Sequence, residues 1–232
     1  MSLRNKNGLA VLLRAFLLFF SFFTVERIFS DPYWGSYFGN FLYYPNLSKL
    51  CMIAVTLAYL GFGFRTRMTG GTRIPRAVQL IRYAVVVAVT FSLLYDCCSF
   101  FLTLSSQLRP LWFNFLTRAI VPALFITDFL AFDRGEPMER ADIVVSVALP
   151  ALFLAYTFIY VMADSPFYLN GHPYYYFFTD LNAGGMAPEA DIGVVWSGLI
   201  LFGSSLAIGA LYRLIQLKTI RPAAAPEGSE EP

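Results

Sequence analysis

The sequence predicts an all-α integral membrane protein: six transmembrane helices in one bundle, with both termini cytoplasmic. Three observations carry this. Six apolar runs have the length of a helical span, at residues 9–29, 41–64, 78–104, 110–132, 143–162 and 192–217. An apolar run of about 20 residues is long enough to cross the hydrocarbon core as a helix. None of the runs alternates polar and apolar residues, as a transmembrane barrel strand must, and in lipid only helices or closed barrels satisfy the backbone. The basic residues also segregate. With the N-terminus inside, the inner side collects Arg4, Lys6, Arg14, Arg65, Arg67, Arg73, Arg76, Arg82, Arg134, Arg140, Arg213, Lys218 and Arg221, whereas the outer connections hold only Arg109. Such a bias sets orientation.

Composition agrees. The chain of 232 residues is 57% hydrophobic and only 14% charged, against about 45–50% and about 25% for soluble domains. A net charge of +2 and the absence of a basic, aromatic-interleaved stretch argue against a nucleic-acid partner. Cys51, Cys97 and Cys98 all lie in apolar runs and read as small hydrophobes. A single histidine, His172, cannot form a multi-histidine metal centre, and no carboxylate cluster or phosphate-binding glycine loop is present. No metal or cofactor is expected.

Taken in order, the first run follows a basic start and resembles a signal peptide, but it is too long and lacks a small-residue cleavage pattern before Asp31. It reads as a retained span. The second carries Asn46, Lys49 and Thr56 on one face, and the third carries Ser92, Asp96, Ser99 and Thr103 at steps of four, three and four. The fourth places Asn114, Arg118, Val121, Phe125 and Asp128 on one face, with Pro122 between the charges. Pro122 has no N–H, so the Arg118 carbonyl loses its helical partner and a kink is expected there. The other spans are expected to pack around this fourth segment. The fifth carries Tyr156, Thr157 and Tyr160, and the sixth returns the chain to the inner side. A long outer loop, 163–191, is rich in Tyr and Phe and suits the membrane interface. Residues 1–220 form the transmembrane domain, and 221–232, rich in Pro, Ala and Glu, form a disordered tail.

Counting rise along each span puts Lys49, Arg118 and Asp96 at comparable depth in the outer half of the bilayer. Charges there are costly and mark either structural pairs or a site. In the structural case Asp96 pairs with Lys49 or Arg118, and Glu26 takes the remaining cation. In the functional case an excess cation holds an anionic headgroup or carboxylate, with Arg118, Lys49, Asp96, Asn114 and Asn46 as the binding set. Asp128 lies deeper, where it is either solvated or answers Arg82.

The segments NFLTRAIVPALFITDFLAF and LPALFLAYTFIY, followed by HPYYYFFTDLNAGG, resemble those of the androgen-induced (FAR-type) membrane proteins, whose bacterial relatives form the Pr-six-Pr family. The resemblance covers residues 39–217. It is clearest at Arg118 to Pro122 and around Pro173, Tyr174, Phe177 and Asp180. It implies six spans with both termini inside and, for the eukaryotic members, intramembrane hydrolysis of fatty-acid esters by a threonine on the second span and a histidine on the fourth. This chain departs at both positions: Pro45 aligns with the threonine and Arg118 with the histidine. Arginine stays protonated and proline offers no nucleophile. The expectation is therefore a non-catalytic membrane protein that binds a lipid or fatty-acid anion. The alternatives are a lipid-ester hydrolase rebuilt on Ser48, Thr117 or His172, and a structural subunit of a membrane complex. The expected location is the cell membrane, with membrane lipids as partners.

Overall fold

The computed structural model describes residues 3–30, 44–69, 74–102, 111–132, 138–162 and 193–219. The long outer loop with His172, the tail, and the side chains of Arg27, Ser99 and Thr103 lie outside the described residues. Among the described residues there is no strand. The helices are α1 (Leu3–Ser30), α2 (Tyr44–Thr69), α3 (Arg76–Leu102), α4 (Leu111–Phe115), α5 (Val121–Phe132), α6 (Ala148–Met162) and α7 (Gly193–Thr219). A π turn, Leu116–Ile120, joins α4 to α5, and a 3-10 segment, Ala141–Val147, leads into α6.

Five stretches are long and apolar enough to cross a membrane: Gly8–Glu26, Tyr44–Arg65, Arg76–Cys98, Trp112–Phe132 and Gly198–Thr219. The remaining predicted span is helical too, but its apolar stretch, Ala141–Thr157, is shorter.

The centre of the bundle is α3, not the fourth segment as the charge pattern suggested. Over half of its apolar window is buried (56%), against 33% for Trp112–Phe132. The reason is visible in Tyr83–Val89, where every side chain is buried on all sides of the helix. A helix apolar all round belongs in the middle. Its Val-rich run would favour a strand in water. In lipid a helix satisfies its own backbone, and that requirement overrides the propensity. Around α3 stand α2, α5, α7 and the 3-10 segment, and α1 leans on α2, α5 and the π turn.

Polar contacts fix the registers. Ser48 and Ser92 hydroxyls meet at 2.7 Å between α2 and α3, and Thr90 meets the Tyr212 hydroxyl at 2.6 Å between α3 and α7. At the end of the bundle nearest both termini, Arg213 Nε donates to the Met138 carbonyl and the Met138 N–H donates to Gln216 Oε1. Arg76 and Asp142 form an ion pair beside them. Here α7 comes so close that a Cβ on Gly209 would lie 2.7 Å from the Tyr83 hydroxyl and 3.0 Å from Ser146.

Candidate functional site

Pro122 shapes the fourth segment as its chemistry demands, but by a wider turn rather than a simple kink. The backbone N–H of Val121 reaches back five residues to the Leu116 carbonyl. Such π turns absorb an extra residue inside an α-helix and are frequent at functional sites. The buried line of this segment runs through Asn114, Thr117, Val121, Phe125 and Asp128, with Thr117 rather than Arg118 in the interior. Arg118 is left at the edge of the interior, partly exposed, with its Nε buried.

Two ionic clusters occupy opposite ends of the bundle. At one end Lys49 Nζ lies 2.5 Å from Asp96 Oδ2, both side chains essentially inaccessible (1% and 0%). This is one of the two partners expected for Asp96. At the other end Asp128 is shared by two arginines. Arg14 Nε donates to both of its oxygens at 3.0 and 3.1 Å, and Arg82 Nη2 donates to Oδ2 at 2.6 Å. The Arg82 guanidinium also stands 4.1 Å over the Tyr59 ring, with that of Arg14 at 5.3 Å. Aromatic faces stabilise desolvated guanidinium groups in this way. The Arg82 partnership was legible from depth. That of Arg14 was not, because Arg14 was counted among the basic residues of the inner side, whereas it is buried and bonded to Asp128.

The proposed binding set thus divides. Asn46, Lys49, Asp96 and Asn114 are all buried, and Lys49 is committed to Asp96. Arg118 is different. No ion pair to it forms among the described residues, so the expected Glu26–Arg118 pair is absent there, and its buried Nε has no hydrogen-bond partner. A buried donor without a partner costs free energy comparable to a lost hydrogen bond. It is a position where an acceptor belongs.

The hydroxyls considered for a rebuilt hydrolase are otherwise engaged. Ser48 Oγ lies 3.0 Å from the Pro45 carbonyl and 2.7 Å from Ser92, and Thr117 donates to the Phe113 carbonyl at 3.0 Å. Neither touches a basic side chain, as an activated nucleophile must. No three His, Cys, Asp or Glu side chains gather into a metal site among the described residues. No family model matches the chain, and neither a curated protein nor a solved structure similar to it was found.

Proposed function

We propose that this is a six-span membrane protein, both termini cytoplasmic, that holds the anionic group of a lipid or fatty acid at Arg118 without catalysing a reaction on it. One observation carries the reading. The buried cations Arg14, Lys49 and Arg82 each have a carboxylate, whereas Arg118, partly exposed with its Nε buried, has none among the described residues. A guanidinium at the boundary between interior and lipid suits a carboxylate or phosphate oxygen, because the bond is charge-assisted and the ligand's chain stays in the apolar phase. Arg118 cannot act as a general base, and Ser48 and Thr117 bond elsewhere. Those two facts favour a binder over a hydrolase. The resemblance to the androgen-induced (FAR-type) group supports a lipid ligand.

The fifth predicted span, the one with the shorter apolar stretch, has support in its geometry. Seven residues of 3-10 helix followed by fifteen of α-helix rise about 36 Å, enough for a hydrocarbon core of about 30 Å. The basic residues clustered at the ends of the bundle nearest both termini support the cytoplasmic assignment.

The test is lipid-resolved mass spectrometry of the purified protein, wild type beside Arg118→Gln and Lys49→Met. The expected result is a co-purifying anionic lipid or fatty acid that disappears in Arg118→Gln at unchanged melting temperature. Lys49→Met should instead lower the melting temperature. An anion retained by Arg118→Gln overturns the reading.

A further inference from the structure

Nine serines and threonines are buried among the described residues: Ser21, Thr24, Ser48, Thr56, Ser92, Thr117, Ser146, Thr157 and Ser205. Seven of them point a hydroxyl back at a carbonyl three or four residues earlier in their own helix. That is the usual way a hydroxyl is satisfied in a dry interior. The two that do not are Thr24, only 1% exposed, and Ser205 on α7, and neither hydroxyl has a partner; of the two, Thr24 lies on α1, which packs against the π turn that carries Arg118.

Its place in the fold is set by the buried stripe of α1: Ala10, Arg14, Leu17, Ser21, Thr24 and Ile28. These recur at steps of four and three, so they share one face. Arg14 on that stripe is bonded to Asp128, which sets the stripe against the segment built from α4, the π turn and α5. The two run antiparallel, since Phe23 meets Phe113 at 6.3 Å at the other end of the contact. Thr24 lies ten residues along α1 from Arg14, and Arg118 lies ten residues back from Asp128. At about 1.5 Å per residue both climb about 15 Å from the same ion pair. Two buried, unpartnered donor groups, the Thr24 hydroxyl and Arg118 Nε, therefore lie toward the same end of two elements that are in contact.

We infer that Thr24 is the second binding residue of the Arg118 site, and that the ligand group the two share is a carboxylate. This rests on the anion-binding reading above. A carboxylate offers two oxygens, one for each donor, and one negative charge for one cation. The ligand class is a long-chain fatty acid whose tail lies in the surrounding lipid.

The experiment measures binding of three probes to the full chain in lipid nanodiscs: palmitate, hexadecanol and dipalmitoyl phosphatidate. The variants are Thr24→Val, which keeps the shape and removes the hydroxyl, Thr24→Ser, which restores it, and Arg118→Gln. Palmitate is expected to bind wild type and Thr24→Ser alike, to bind Thr24→Val at least tenfold more weakly, and to be lost in Arg118→Gln. Hexadecanol should not compete. If Thr24→Val binds palmitate as wild type does while Arg118→Gln does not, Thr24 lies outside the site and only this inference fails. If Arg118→Gln also binds as wild type does, the anion reading itself fails. Phosphatidate displacing palmitate with no sensitivity to Thr24→Val would overturn the carboxylate assignment. Should Thr24→Val not fold, Thr24→Cys, of similar size and with only a weak donor, decides by the same comparison.

Discussion

At the scale of single residues the molecule is organised by where its few charges find partners. Asp128 carries two guanidinium groups, so its removal strands both in a buried setting, whereas removal of Arg14 leaves the Asp128–Arg82 bond intact. Breaking a buried pair by deleting one partner costs about 3–5 kcal/mol. Asp128→Ala should therefore destabilise the protein by about that much, and Arg14→Met by clearly less, as read by thermal unfolding in detergent. The Lys49–Asp96 pair offers a cleaner comparison. Lys49→Met alone should be costly, and Lys49→Met with Asp96→Leu should recover most of the loss, because an apolar pair of similar volume replaces a desolvated ionic one. A double variant as unstable as the single one would mean that Asp96 has a role beyond answering Lys49.

At the scale of elements, close approach and the π turn matter most. Gly209 lets α7 lie against Tyr83 of α3 and Ser146 of the 3-10 segment. Gly209→Ala should cost about 1–3 kcal/mol through overpacking, and Tyr83→Phe, which removes the oxygen 2.7 Å from the new methyl, should restore part of that. If Gly209→Ala is neutral, α7 can slide, and the Arg213 and Gln216 bonds to Met138 are weaker constraints than their geometry suggests. In the fourth segment, Pro122→Ala returns an N–H for the Arg118 carbonyl. The π turn should then relax toward α-helix and carry Arg118 into the interior line. Weaker anion retention at unchanged folding, measured by the mass-spectrometric assay, is the expected outcome. Unchanged retention would show that the wide turn does not position the guanidinium.

At the scale of the whole molecule, the prediction is topological. With six spans, reporters fused at the N- and C-termini should both read as cytoplasmic, and a cysteine placed in the loop 163–191 should label from outside. A C-terminal reporter on the outer side would reduce the spans to five. The helices themselves were legible because backbone satisfaction in lipid leaves few alternatives, and a long apolar run without alternation selects among them. The position of α3 was harder to see. Its all-apolar run resembles any other span until its neighbours are placed, and the fourth segment drew attention because it bears more charge.

The candidate site was legible only in part. Arg118, Lys49 and Asp96 stood out as charges at one depth, and Asp128 with Arg82 at another, because charge in an apolar run is conspicuous. Their pairing was not legible, since depth leaves rotation about each helix axis undetermined. The sequence by itself determined the helical class, the five membrane-length stretches, and the shared levels of Lys49 with Asp96 and of Arg82 with Asp128, all of which follow from length, apolarity and rise per residue. Only the tertiary structure decided that Lys49 takes Asp96, that Arg14 joins Arg82 on Asp128, and that Arg118 and Thr24 are left with buried, unpartnered groups. The physical reason is phase. Helical spacing admits either Thr117 or Arg118 beside Asn114 and Val121, and the choice of Thr117 for the interior line emerges only when the helix is built against its neighbours.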